Sequence, residues 1–151
     1  MSPDGWPVVD VLDGDTIVVA KSRYELLRVR IYGIDAPEPA NPRANITAQP
    51  FSEAATGYTR DLLLDRIVCL FLIGRESYNR VVAKVHLDGS SVGNTLVREG
   101  LSWWDYRLMP EDEELAQLQR TARKNGIGLW SEKDPVPPWE WRSRPRPRGH
   151  E

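Results

Sequence analysis

One cysteine, Cys69, is all that the 151-residue chain contains. No internal disulfide can form, and the cysteine count leaves the redox compartment open. With Val68 and Leu70 beside it, the thiol reads as a buried strand residue rather than a nucleophile. Histidine is nearly as scarce. His86 falls in an apolar strand pattern and His150 near the C-terminus. Without a second usable imidazole, neither a zinc-type ligand pair nor a serine triad can be assembled. No apolar run approaches the ~20 residues of a membrane-spanning helix. Met1-Ser2-Pro3-Asp4-Gly5 lacks the basic region and apolar stretch of a secretory leader. There is no glycine-rich phosphate loop and no internal repeat. Excess charge is also lacking. Twenty Lys and Arg face 22 Asp and Glu, for a net charge of −2, which argues against a simple electrostatic nucleic-acid binder.

What is present suits one domain with a single core. Hydrophobic residues make up 40% of the chain and charged residues 28%. The charge is unevenly placed. The segment Arg142-Ser143-Arg144-Pro145-Arg146-Pro147-Arg148 holds four basic residues, and residues 1–141 carry a net −5. An anionic substrate must therefore be drawn by a local patch, not by the global field.

The first third has the pattern of β-structure. Val8 to Leu12 runs into the Asp13-Gly14 turn signal, and Thr16 to Ala20 follows as a second strand. Leu26 to Ile34 predicts a third. There Leu27, Val29 and Ile31 alternate with Arg28, Arg30 and Tyr32, which puts both arginines opposite the aliphatic face. Four prolines over 36–50 predict an irregular loop. A helix is expected from Phe51 to Asp65, with Pro50 suited to its first turn. The apolar run Ile67 to Ile73 predicts a buried strand, and Val81 to His86 another. A short helix through Val92, Leu96 and Val97 should end at Gly100. A further helix opens with the acidic turn Pro110 to Glu114 and closes at Lys124-Asn125-Gly126. The expected architecture is α+β: a five-stranded barrel like the oligonucleotide-binding barrel, with about three helices against it. The domain is set at 6–132. Residues 133–151 form a Pro-, Arg- and Trp-rich tail, expected to be extended or partly disordered, with Trp139 and Trp141 able to pack it back on the domain.

The chemistry concentrates between Asp13 and Glu38. Carboxylates at Asp15, Asp35 and Glu38 supply hard oxygen ligands for a divalent cation. Arg28 and Arg30 supply forked donors for phosphate oxygens. Metal-assisted hydrolysis of a phosphodiester needs that mixture. Taken pair by pair, the same residues are also ordinary turn and loop acids.

Five separated blocks add a resemblance. Asp13-Gly14-Asp15-Thr16, Arg30 through Glu38, Arg75 to Arg80, Asn94 through Leu101, and Gly128-Leu129-Trp130-Ser131-Glu132 match the staphylococcal nuclease family in order and spacing. The resemblance implies calcium-dependent hydrolysis of DNA and RNA, leaving 3′-phosphate and 5′-hydroxyl ends. It implies that Asp15, Asp35 and the backbone carbonyl of Ala36 hold calcium, and that Glu38 activates or orients the attacking water. Arg30 and Arg80 become the phosphate-clamping arginines, and Tyr78 and Tyr106 the nucleotide-contacting tyrosines. Three positions depart from the family pattern: Ala36 where threonine is common, Ser77 where a lysine can sit, and Leu108 in place of a second aromatic. DNA and RNA, with unpaired strands preferred, are the expected partners of a monomer, and secretion or the cell envelope the favoured location. The alternative is a catalytically weak or inactive nuclease-like module that binds nucleic acid or protein. Loss of carboxylates or arginines would mark it, and none is lost.

Overall fold

The computed structural model describes residues 5–144. Strands β1 (Trp6–Asp13), β2 (Thr16–Ala20) and β3 (Leu26–Ile31) form an antiparallel meander. Strand β5 (Ile67–Ser77) and β6 (Arg80–Leu87) form a hairpin. β5 pairs with β1, and β6 closes the ring by running parallel to β3. The result is the expected five-stranded barrel of the oligonucleotide-binding type. Its interior is filled from alternate strand positions: Val8, Val11, Ile17, Val19, Leu27, Val29, Ile31, Val68, Leu70, Val81, Ala83 and Val85 are all buried.

Helix α1 (Ser52–Leu63) packs on β1, while α2 (Val92–Arg98) packs on β6 and α3 (Glu113–Lys124). Ser91 caps α2 by accepting from the Asn94 amide at 3.1 Å, and Asp112 caps α3 by accepting from Leu115 at 2.9 Å. Three short strands lie outside the barrel pairing of β1–β3, β5 and β6. β7 (Ser90–Ser91) turns back to pair antiparallel with the end of β6, and β4 (Ile34–Asp35) pairs with β8 (Trp103–Trp104). A second apolar cluster, Trp103, Ala122, Leu129 and Trp130 with Phe51 and Trp139 against it, sits beside the main core. The segment after α3 is locked by a backbone crossing. The Leu129 amide donates to the Gly100 carbonyl at 2.8 Å, and a Cβ on either Gly100 or Gly128 would collide with the other strand's backbone.

Several expectations are corrected. The strand expected to run unbroken from Leu26 to Ile34 is broken at Tyr32-Gly33, where Gly33 takes φ +88°, and β4 pairs elsewhere. The first helix starts at Ser52, because Phe51 is left-handed at φ +71°. The apolar run of β5 is not buried throughout: Ile67 is 63% exposed, and Phe71, Leu72 and Ile73 are close to half exposed. A shift of register between Leu72 and Gly74 breaks the alternation there, and a continuous apolar run cannot reveal which face is wet. Cys69 is accordingly half-buried, opposite His86. The tail is not all extended. Pro137 and Pro138 open a fourth helix, α4 (Pro138–Ser143), consistent with proline's fit to a first turn. His150 and the Pro145-to-Arg148 part of the basic run lie outside the described residues.

Candidate active site

The β1–β2 turn positions the first carboxylate. Asp13 Oδ1 accepts from the Asp15 amide at 3.1 Å, which shapes the turn. Gly14 is wedged between Ala36 and Ala55, whose Cβ atoms would lie 2.8 Å from any Cβ added there. Thr59 of α1 donates to the Gly14 carbonyl at 2.8 Å, so the helix pins the turn. Asp15 leaves this turn buried. Its Oδ2 accepts from the Ala36 amide at 2.7 Å, and its Oδ1 from the Thr16 hydroxyl at 3.0 Å.

Strand register delivers the arginine. Thr16 lies opposite Arg30 in the β2–β3 ladder, placing the guanidinium next to Asp15. Arg30 Nη1 lies 2.8 Å from Asp15 Oδ2, and Nη2 lies 3.3 Å from Asp35 Oδ1. Arg30 also donates to the Ile31 and Ile34 carbonyls, bracing the Tyr32-Gly33 turn that carries Asp35 back toward it. One guanidinium therefore joins both buried carboxylates. The Ala36 backbone is held against Asp15 by the same arrangement.

Glu38 stands on the proline-flanked loop beyond. Its amide donates to Gln49 Oε1 at 2.9 Å, and its carbonyl accepts from the Gln49 amide at 2.8 Å. Gln49, itself buried, fixes the loop through both groups and reaches with its Nε2 to the Val136 carbonyl of the C-terminal segment.

The structure thus brings Asp15, Asp35, Ala36, Glu38 and Arg30 together. Arg80 is placed differently. It opens β6 opposite Arg28, two positions along from the level of Arg30. Val81, Ala83 and Val85 point into the core, so Arg80 shares the outer face with Arg28 and Arg30. It is exposed, and among the described residues no ion pair links it to the three carboxylates. Tyr78, 73% exposed in the β5–β6 turn, donates from its hydroxyl to Glu25 at 3.1 Å, with Lys21 over its ring. Arg75 holds that turn by donating to the Tyr78 carbonyl at 2.7 Å. Tyr106 is half exposed, edge-on to Trp104 and Trp139. Trp103 is buried among Trp130 and Trp139, a core role rather than an open stacking platform.

Residues that the sequence reading did not place at the site come from the chain's last third. Arg142 on α4 forks onto Asp35, with Nη1–Oδ1 at 3.1 Å and Nη2–Oδ2 at 2.8 Å, and its Nη1 also donates to Glu38 Oε2 at 3.0 Å. Arg107 forks onto buried Asp105 at 3.0 and 2.9 Å, and its guanidinium lies 3.9 Å from Asp35. The Trp139–Trp141 pair was the one hint in the sequence that this segment returns to the domain.

Burial dominates the electrostatics. Desolvation pushes the Asp15 carboxyl up to about 7, against the opposing pull of Arg30 and with Asp13 adding to the rise. Asp35 is also raised, first by burial, with Arg142 and Arg30 pulling it back. Burial works against the charged form of Arg30, but Asp15 and Asp35 outweigh it and hold the arginine above its ordinary value. Arg142 is raised as well, chiefly by its hydrogen bonds to Asp35. Two carboxylates whose charged forms burial disfavours would be stabilised by a cation. The donors present, carboxylate oxygens and a backbone carbonyl, are those of a hard divalent ion. Among the described residues no three His, Cys, Asp or Glu side chains form a ready cage, so water and substrate oxygens would have to complete the sphere.

Residues 28–132 match the sequence model of the family described as staphylococcal nuclease homologue. An Escherichia coli protein named "Uncharacterized endonuclease" is 39% identical over 138 residues, covering 91% of this chain and 84% of that one. A Haemophilus influenzae protein of the same name is 30% identical, over 89% of this chain and 71% of the relative. A Shigella flexneri protein named "Micrococcal nuclease" is 32% identical, over 89% of this chain and 78% of the relative.

Proposed function

Because the chain belongs to the staphylococcal nuclease family, we propose that it is a calcium-dependent endonuclease that hydrolyses phosphodiester bonds of DNA and RNA. The observation that carries this reading is the convergence of Asp15, Asp35, Glu38 and Arg30 at one end of the barrel. Asp15, Asp35 and the Ala36 carbonyl would hold the ion, which when bound supplies a Lewis acid for a phosphoryl oxygen. Glu38 orients the attacking water or takes its proton, an effect worth roughly 10²–10⁴ in rate. Arg30, already anchored by two carboxylates, directs its charge to the phosphate and offsets the negative charge that grows in the transition state. Arg80, exposed on the same face, grips the phosphate from the other side and assists the departing 5′-oxygen. The products carry a 3′-phosphate and a 5′-hydroxyl. Tyr78 and Tyr106, both exposed, would offer ring surface to unpaired bases, which favours single strands in a monomeric enzyme.

Digestion of single-stranded DNA at mildly alkaline pH tests this, with calcium and then with EGTA, for wild type and Glu38→Gln. The expected result is cleavage that needs calcium and falls about a hundredfold or more in the variant. Wild-type protein that cleaves nothing would move the reading to a nucleic-acid-binding module.

A further inference from the structure

Among the described residues, Arg142 is the one guanidinium that touches both Asp35 and Glu38. Its Nη1 is shared between Asp35 Oδ1 and Glu38 Oε2, so it ties the loop carboxylate to the strand carboxylate. Arg30 reaches Asp15 and Asp35. Without Arg142, none of the ion pairs described reaches Glu38 from the rest of the site.

The segment carrying Arg142 is anchored on both sides. Trp139 and Arg142 are three residues apart on α4, so one helix face carries both. The Trp139 ring lies edge-on to Trp103 at 5.8 Å and Tyr106 at 5.5 Å, with the Arg107 guanidinium 4.3 Å from its centroid. Trp141 Nε1 donates to the Thr47 carbonyl at 3.0 Å, and Gln49 Nε2 donates to the Val136 carbonyl. Thr47 and Gln49 belong to the loop that carries Glu38. The C-terminal segment and the Glu38 loop therefore brace each other, and Arg142 closes the brace at the carboxylates.

We infer that Arg142 is a positioning residue for hydrolysis: through Asp35 and Glu38 it fixes the water-orienting carboxylate relative to the metal-binding carboxylates. This rests on the nuclease reading above. A carboxylate has about four lone-pair sites; Arg142 takes one on each oxygen of Asp35 and Arg30 a second on Oδ1, so a site on Oδ2 is left for a cation. A guanidinium is suited to the task because its planar donors address two carboxylates at fixed angles, which a lysine cannot reproduce.

Two measurements on the full chain test the inference. The first is a double-mutant cycle on thermal unfolding in EGTA, with Arg142→Ala, Glu38→Gln and the pair together. The shift in Tm for the pair should be clearly smaller than the sum of the single shifts. Additive shifts would overturn the inference. The second is steady-state cleavage of single-stranded DNA with saturating calcium, alongside calcium titration by calorimetry. Arg142→Ala should lower kcat about 10- to 100-fold, the scale of a misplaced catalytic group, with little change in KM or calcium affinity. Arg142→Lys should recover only part of the loss. A rise in turnover, as an arginine that merely blocks the site would give, overturns the inference. So does a loss of calcium binding in step with the loss of turnover. Wild-type protein without nuclease activity sinks the nuclease reading instead, and the cycle in EGTA still decides whether Arg142 holds Glu38.

Discussion

The site has two halves that are built in different ways. The barrel half, Asp15, Arg30 and Asp35, is placed by backbone. A tight turn, a strand register and a glycine turn leave these side chains little choice of position. The C-terminal half, Arg107, Trp139 and Arg142, is placed by side chains. Ring edges, one stacked guanidinium and two hydrogen bonds to the Glu38 loop hold it against the barrel. Backbone placement tolerates substitution nearby, because the ladder persists. Side-chain placement fails piece by piece. The first half should therefore report on chemistry and stability together, and the second mainly on how well Glu38 is aimed.

Arg30→Ala should strike the barrel half hardest. It removes the phosphate-facing charge and leaves two buried carboxylates without their shared partner. Turnover should fall about 10²–10³-fold. Metal-free stability should fall by about 3 kcal/mol, the scale of breaking a buried pair. Denaturant unfolding in EGTA, beside the cleavage assay, reads both. Arg80→Ala should separate chemistry from stability. Arg80 is exposed and its strand is held by the ladder, so turnover should drop about 10²-fold while the unfolding midpoint stays within about 0.5 kcal/mol of wild type. A stability loss as large as that of Arg30→Ala would show that Arg80 is structural.

Trp139→Ala tests the other half. The ring is only partly buried, so the loss should be about 2 kcal/mol, below the ~3–5 of a fully buried tryptophan. Turnover should fall in the same direction as for Arg142→Ala, because the helix face that carries the arginine is freed. Unchanged turnover in Trp139→Ala would show that Arg142 reaches the site without the anchor.

The barrel half was legible in the sequence for the same reason that it is robust. Period-two alternation from Leu26 to Ile31 puts Arg28 and Arg30 on the outer face, and Asp13-Gly14 announces the turn that presents Asp15. The C-terminal half was not legible. A run of Pro, Trp and Arg has no periodicity, and its conformation depends on partners nearly a hundred residues away, such as Thr47 to Trp141. The exposed face of β5 was hidden for a related reason. Seven consecutive apolar residues describe a strand but not its wet side, and the break at Leu72–Gly74 is set by pairing with β6.

The two halves also separate by pH. In the unfolded chain Asp15 ionises near ~3.9. In the folded, metal-free protein burial holds its carboxyl up to about 7. Between those values the folded state keeps a proton that the unfolded state has lost, so folding is favoured most at low pH and the advantage drains away as pH rises. Asp35, shifted in the same direction, adds to the trend. The Tm in EGTA should therefore decline by several degrees from pH 5 to pH 8, and Asp15→Asn should flatten the decline. Trp139→Ala should lower the curve and leave the Asp15 part of its slope in place, while the loosened Arg142 lets Asp35 rise further and steepens the decline slightly. Calcium should reverse the trend, because the ionised carboxylates that burial disfavours are the form that binds a cation, and binding strengthens as protons leave. An Asp15→Asn curve with the wild-type slope would show that the pH dependence originates in a group other than Asp15.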